Sequence, residues 1–297
     1  MFNLIKMDLY RMMRTVSFRV MLLVTIAIGV FMVFATSYDV SLAKEAIEQG
    51  RVQEEMAAET EEDAVDGSTE DTEVVIELGV HMSSNFDWVY EIPMSELINE
   101  CMVSGILLLL SAIFVPLFVH AEYKNGYIKN IAGQFPNRGA LVGSKLVAVT
   151  VQILILTLDY MITVFISGMI FFRDTWVLGS IGEMFGCVAL HLLLCLAFGY
   201  MCLMLSLVSK SAALPLTAGV LCSTGFMVLL YGGINMLIGL IRDNDSFDIS
   251  LYSLEMNTSL ISADMAGEDL TRILIIGIVY SLIAALISIF VVKKRDI

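Results

Sequence analysis

The chain has 297 residues, of which 58% are hydrophobic, and a formal net charge of −14. Apolar runs such as Met102 to Val119 and Ile273 to Val292 reach the roughly 20 residues that a helix needs to cross a bilayer. Their continuity excludes a β-barrel, whose strands alternate apolar and polar side chains. The expected class is therefore an all-α polytopic membrane protein, one transmembrane domain over 1–297. Its negative charge is concentrated, since 18 of the 31 acids fall between Asp39 and Glu100.

In chain order, Met1 to Arg14 interleaves Phe2, Leu4, Ile5, Leu9, Met12 and Met13 with Lys6, Asp8, Arg11 and Arg14. That pattern predicts an in-plane amphipathic helix whose cations suit anionic headgroups. A first span is expected at about 17–36, too long for the core of a signal peptide. An acidic outer insertion follows at 37–98, helical in its first part from Leu42 to Glu62 and polar enough for disorder over 59–73. Later spans are expected at about 101–119, 141–172 and 184–208, the last closing in a Ser209-Lys210-Ser211 turn. The stretch from Ala212 to Ile241 exceeds one straight span, and Gly232-Gly233 predicts a break: a fifth span ending near Tyr231, then a re-entrant or interfacial piece from Ile234 to Ile241. The sixth span is 273–292. The five cysteines, Cys101, Cys187, Cys195, Cys202 and Cys222, lie in or beside apolar runs and are expected as free thiols.

The cations set the expected orientation. With both termini inside, the cytoplasmic side holds Lys6, Arg11, Arg14, Arg19, Lys124, Lys129, Arg138, Lys145, Lys210, Lys293, Lys294 and Arg295, against Lys44, Arg51, Arg173, Arg242 and Arg272 outside. Only Asp8, Glu122 and Asp296 are inner acids.

Between the second and third spans lies a polar island, Glu122 to Ile131, continued by Gln134 to Gly139. It is too short for a domain and reads as a handle, with Tyr123, Tyr127 and Ile131 on one helical face and Lys124 and Lys129 available for acids on a partner. Its plain alternative is an inner loop whose cations only fix orientation. The in-plane N-terminus, six spans, long first outer loop, the E-x-x-x-G-x-I-K-N pattern at Glu122, Gly126, Ile128, Lys129 and Asn130, and Ser144-Lys145 entering the third span together resemble an ABC-type-2 exporter permease. The resemblance implies that the island is a coupling helix docking into a separate ATP-binding subunit, with ATP and Mg held by that partner. It further implies that two permeases pair in the lipid bilayer, that this chain is not itself an enzyme, and that no nucleic acid is involved. The expected location is a bacterial plasma membrane, with peptide or lipophilic cargo. Glu122, Tyr123, Lys124, Gly126, Tyr127, Ile128, Lys129 and Asn130 are the coupling residues on this basis.

No nucleotide site is expected in the chain itself. The stretch from Gly139 to Lys145 mimics a phosphate-binding loop but has the wrong glycine spacing and no Lys directly after the second glycine. Within the spans, Gln152, Asp159 and Thr163 share a helical face with Leu156. An acid there is either a contact for a cationic substrate or proton, or an interhelical hydrogen-bonding group that fixes packing. Both roles stay open. His191, with Cys187, Cys195 and Cys202 at helical spacing, imitates a metal cluster, although small weakly polar residues also line helix contacts. Two other functions compete with export: a sensor or immunity protein binding peptides through the acidic loop, and an intramembrane enzyme, against which stands the lack of H-E-x-x-H or paired glutamates in the spans.

Overall fold

The computed structural model describes residues 2–60, 88, 90–124, 138–242 and 248–294. Helix α1 (Phe2–Arg14) and helix α2 (Val16–Thr60) are separated by Thr15 alone, whose hydroxyl donates to the Met12 carbonyl at 2.7 Å. The 45 residues of α2 extend about 68 Å at 1.5 Å per residue, roughly twice the thickness of a hydrocarbon core. The helix thus continues well past the span expected at 17–36, through the Ala- and Glu-rich stretch expected to be helical. The rest of the acidic insertion up to Asp87 lies outside the described residues.

A short strand β1 (Ile92–Pro93) leads into α3 (Met94–Val103) and α4 (Ile106–Lys124), which form one apolar unit bent by 49°. Gly105 sits at the bend with φ 71°, a conformation that an L side chain resists. Helix α5 (Arg138–Phe171) ends in a link carrying strand β2 (Trp176–Val177), and α6 (Ile181–Ser209) follows. The two strands pair in parallel, Ile92 with Trp176 and Pro93 with Val177, which holds the start of α3 against the α5–α6 link. Lys210, with φ 53°, closes α6.

Helices α7 (Ala213–Ser223) and α8 (Met227–Arg242) form a second bent pair, at 75°. The expected break at Gly232-Gly233 is corrected: α8 runs unbroken through both, and the chain turns instead at Gly225, φ 72°. Glycine at ordinary helical angles weakens a helix without stopping it, whereas a left-handed angle cannot be continued as α-helix. A 3-10 turn (Ile249–Tyr252) and α9 (Leu254–Ser259) then lead to α10 (Gly267–Lys294).

Helices α2, α5, α6 and α10 are each long and apolar enough to cross a membrane, and the bent pairs raise the number of candidate crossings to as many as six. Helix α6 is the central one, packed by α10, α4, α5, α3 and α7, with Leu194, Ala197, Phe198 and Leu203 buried. By contrast α10 leaves Ile275, Leu282, Leu286 and Phe290 more than half exposed. A row of that kind on a long helix fits acyl chains and not water. Gly277 makes the α6–α10 approach possible, because a Cβ there would stand 2.7 Å from Leu193.

Candidate functional site

In α1, Leu4, Asp8 and Met12 recur every four residues and form one buried stripe, while Phe2, Lys6, Tyr10 and Arg14 point away from the bundle. Position 8 is the anomaly, an acid on the apolar face. It is accounted for by α5, on which this face packs: the Ser144 hydroxyl donates to Asp8 Oδ2 at 2.7 Å. One turn along α1, Arg11 lies 3.9 Å from Asp8 and forms a close ion pair with Glu122 at the end of α4. Glu122 in turn accepts from Lys145 at the start of α5.

Asp8, Glu122 and Lys145 are all at least 95% buried, yet the four charges of the group sum to zero. That is the condition under which ions are tolerated away from water. The floor beneath them is aromatic. The Arg11 guanidinium lies 5.3 Å from the centre of the Phe118 ring, Phe118 stacks on Phe114 at 6.0 Å, and Phe18 meets Phe114 edge-on at 5.7 Å. Three elements far apart in sequence, α1, α4 and α5, are therefore locked by one ionic group at the point from which the polar island departs.

Glu122 is thus the buried root of the island. Tyr123 and Lys124 complete the last turn of α4, and Gly126, Tyr127, Ile128, Lys129 and Asn130 lie outside the described residues. Lys145, the residue that gave the stretch 139–145 its likeness to a phosphate-binding loop, is engaged with Glu122.

On α5, Gln152 is fully buried and both of its amide atoms lack partners among the described residues. Asp159 keeps one enclosed carboxylate oxygen without a described partner, and its backbone carbonyl accepts from the Thr163 hydroxyl at 2.8 Å. Thr163 faces α2, where a Cβ on Gly29 would lie 3.0 Å from its methyl group. His191 belongs elsewhere: its Nε2 pairs with Asn99 Oδ1 of α3 at 3.1 Å, and Asn99 Nδ2 donates to the Ile261 carbonyl at 2.9 Å. All five cysteines are free.

Sequence reasoning assigned Arg11 and Lys145 to the inner cations without linking them to Glu122, and it passed over Asp8 and Ser144 as partners. The spacing of Leu4, Asp8 and Met12 was the available signal, since an acid in the apolar stripe of a basic helix needs a buried partner.

No protein-family model matches the sequence, and comparison with curated proteins finds no match.

Proposed function

We propose that this chain is the membrane subunit of an ATP-driven exporter of the ABC-2 type. In this reading each bent pair counts as one span, giving six, both termini are cytoplasmic, and the protein resides in a bacterial plasma membrane. A second permease and separate ATP-binding subunits complete the assembly, with ATP and Mg on the latter.

The observation that carries the reading is the neutral ionic group Asp8–Arg11–Glu122–Lys145 at the root of the polar island. A subunit that receives work from a partner needs a rigid joint between the surface it presents and the helices that must move. Here one buried group ties the interfacial helix to both helices flanking the island. Loosening any member leaves a buried charge uncompensated, so the three elements move together or not at all. The charge distribution supports the orientation. Lys6, Arg14, Arg19, Lys210, Lys293 and Lys294 all fall at this end of the helices, and the excess of cations marks the cytoplasmic face of a membrane protein.

The test is purification of the chain with its ATP-binding subunit, followed by cargo-stimulated hydrolysis in reconstituted membranes. Tyr127→Ala removes an aromatic anchor of the kind that contributes about 2 kcal/mol or more to an interface. It is expected to abolish co-purification while insertion stays normal. Normal insertion is read by an impermeant reagent, which should label Ser259→Cys and spare Asn137→Cys in intact cells. A Tyr127→Ala chain that keeps its partner and couples like the parent overturns the coupling role, and a parent chain that recovers no nucleotide-binding protein overturns the assignment.

A further inference from the structure

At the end of the bundle opposite the Glu122 group, a cavity of about 250 Å³ opens between the start of α3, the start of α6 and the segment before α10. Its wall carries four carboxylates, Glu96, Glu100, Glu183 and Asp264, and among the described residues no lysine, arginine or histidine. Among the described residues none of the four has an ion-pair partner. Glu96 is oriented by the Trp88 indole, whose Nε1 donates to Oε2 at 2.9 Å, so that an aromatic ring and an acid meet on one side of the space.

Two further features indicate that the space is built to be filled. Ser95 is 93% buried, being 7% exposed, and its hydroxyl lines the cavity with no hydrogen-bond partner among the described residues. Asn99, also in the wall, is held at both ends of its amide, by Ile261 and by His191. His191 itself is 1% exposed and its Nδ1 has no partner among the described residues. A nearly buried serine without a partner in the wall, beneath acids of which Glu96, Glu183 and Asp264 are exposed and Glu100 half-buried, is polar structure that a ligand can complete.

The complement is positive and larger than a metal ion. Among the described residues no three His, Cys, Asp or Glu side chains converge as a metal site requires. Separated acceptors around a space that is small for a drug-sized ligand instead suit an ion with several divergent N–H donors, which also favours an aromatic neighbour. We propose that this cavity binds an N–H-bearing organic cation, the guanidinium or ammonium of a basic peptide side chain. Glu100 and Glu183 provide charge from opposite walls, Ser95 adds a neutral acceptor, and Trp88 covers the entrance. Binding at this site does not require the exporter reading; identifying the cation as part of the cargo, received on the outer face, does rest on it.

The experiment uses the full chain alone in nanodiscs of phosphatidylcholine, which offers no net lipid charge. The probe is a fluorescein-labelled Ala-Arg-Ala-Arg amide, followed by anisotropy, with the citrulline isostere and calcium as competitors. The arginine peptide should bind saturably, and the double variant Glu100→Gln, Glu183→Gln should weaken it by about tenfold or more, as loss of close charge partners does. Asp174→Asn removes an exposed acid at the same end outside the cavity and should leave affinity unchanged. Each variant is first checked for cooperative unfolding near the parent's thermal midpoint, and the single changes Glu100→Gln and Glu183→Gln stand in should the double variant fail that check. Equal losses in Asp174→Asn and the cavity variants would reduce the effect to overall charge and overturn the site. So would competition by the citrulline peptide at the same concentration as the arginine peptide, or displacement by calcium at lower concentration. Saturable, cavity-dependent binding without any co-purifying ATPase would sustain the site while removing the exporter reading.

Discussion

The two ends of the bundle handle charge in opposite ways. At the Glu122 end, Asp8, Glu122 and Lys145 are buried against one another and the half-buried Arg11, and the four charges cancel. At the Trp176 end, four acids line an open space with no cation among the described residues of its lining. The first arrangement is complete within the described residues, whereas the second is left open by them. Completeness is what a mechanical joint needs, because a joint must hold its geometry in every state. Incompleteness is what a binding site needs, because unspent interaction is available to a ligand. The ends should therefore respond very differently when a carboxylate is removed.

The largest effect is expected at the complete end. Glu122→Ala leaves Lys145 buried beside Arg11 with no counter-charge from α4, and removing one partner of a buried pair costs roughly 3–5 kcal/mol. Reversible unfolding in mixed micelles should show a loss of that size. The paired change Glu122→Met with Lys145→Met should recover much of it, since two well-packed apolar side chains need no compensation. A loss below about 1 kcal/mol for Glu122→Ala would be surface behaviour, and would mean that the joint is not one.

A much smaller effect is expected at the incomplete end. Glu183 is exposed at the first turn of α6 and shares its cavity with three other acids. Glu183→Gln removes an exposed charge and, with it, the favourable interaction of an acid with the N-terminal end of α6, so the empty protein should change by less than about 1 kcal/mol, the scale of exposed charge interactions. Adding the arginine peptide should stabilise the parent by linkage more than the variant. A loss well above about 1 kcal/mol in the empty variant would be more than an exposed charge contributes, and would blur the contrast between the ends.

How far these features can be read from the sequence follows from how local their causes are. The long helices were legible because an apolar run of spanning length has few other outcomes, and α1 was legible from its amphipathic spacing. The bend after α7 was misplaced because Gly232, Gly233 and Gly225 look alike in a sequence, and only backbone angles separate a helical glycine from a left-handed one. Neither charged end was legible as a site. Asp8, Glu122 and Lys145 are brought together by helices whose relative placement no local pattern specifies. The cavity draws its walls from position 88 and from within 95–100, 183–187 and 262–264, which come together where β1 pairs with β2 and α10 packs on α6.

The smallest expected effect concerns Asp248, an acid at the Trp176 end that differs from the cavity acids in being fully served by donors. Its Oδ1 accepts from the Ser250 backbone N–H at 2.9 Å and from Asn235 Nδ2 at 2.6 Å, and Asn235 Oδ1 accepts from the Ile249 N–H at 3.0 Å. Donation from Ser250 and then Asn235 favours the ionised form and holds this carboxyl below the usual carboxylate range. A group whose folded pKa is depressed contributes stability that is fully present above its unfolded value, near 3.9, and is lost as pH falls through the folded value. Protection of the Ser250 amide against hydrogen exchange, corrected for its intrinsic rate, should therefore be flat from neutral pH down to about 4, and should fall below it. Asp248→Asn keeps an acceptor but cannot titrate, so its protection should be slightly lower at neutral pH and lack the acid-induced fall. The same fall in Asp248→Asn would assign the acid sensitivity to another group.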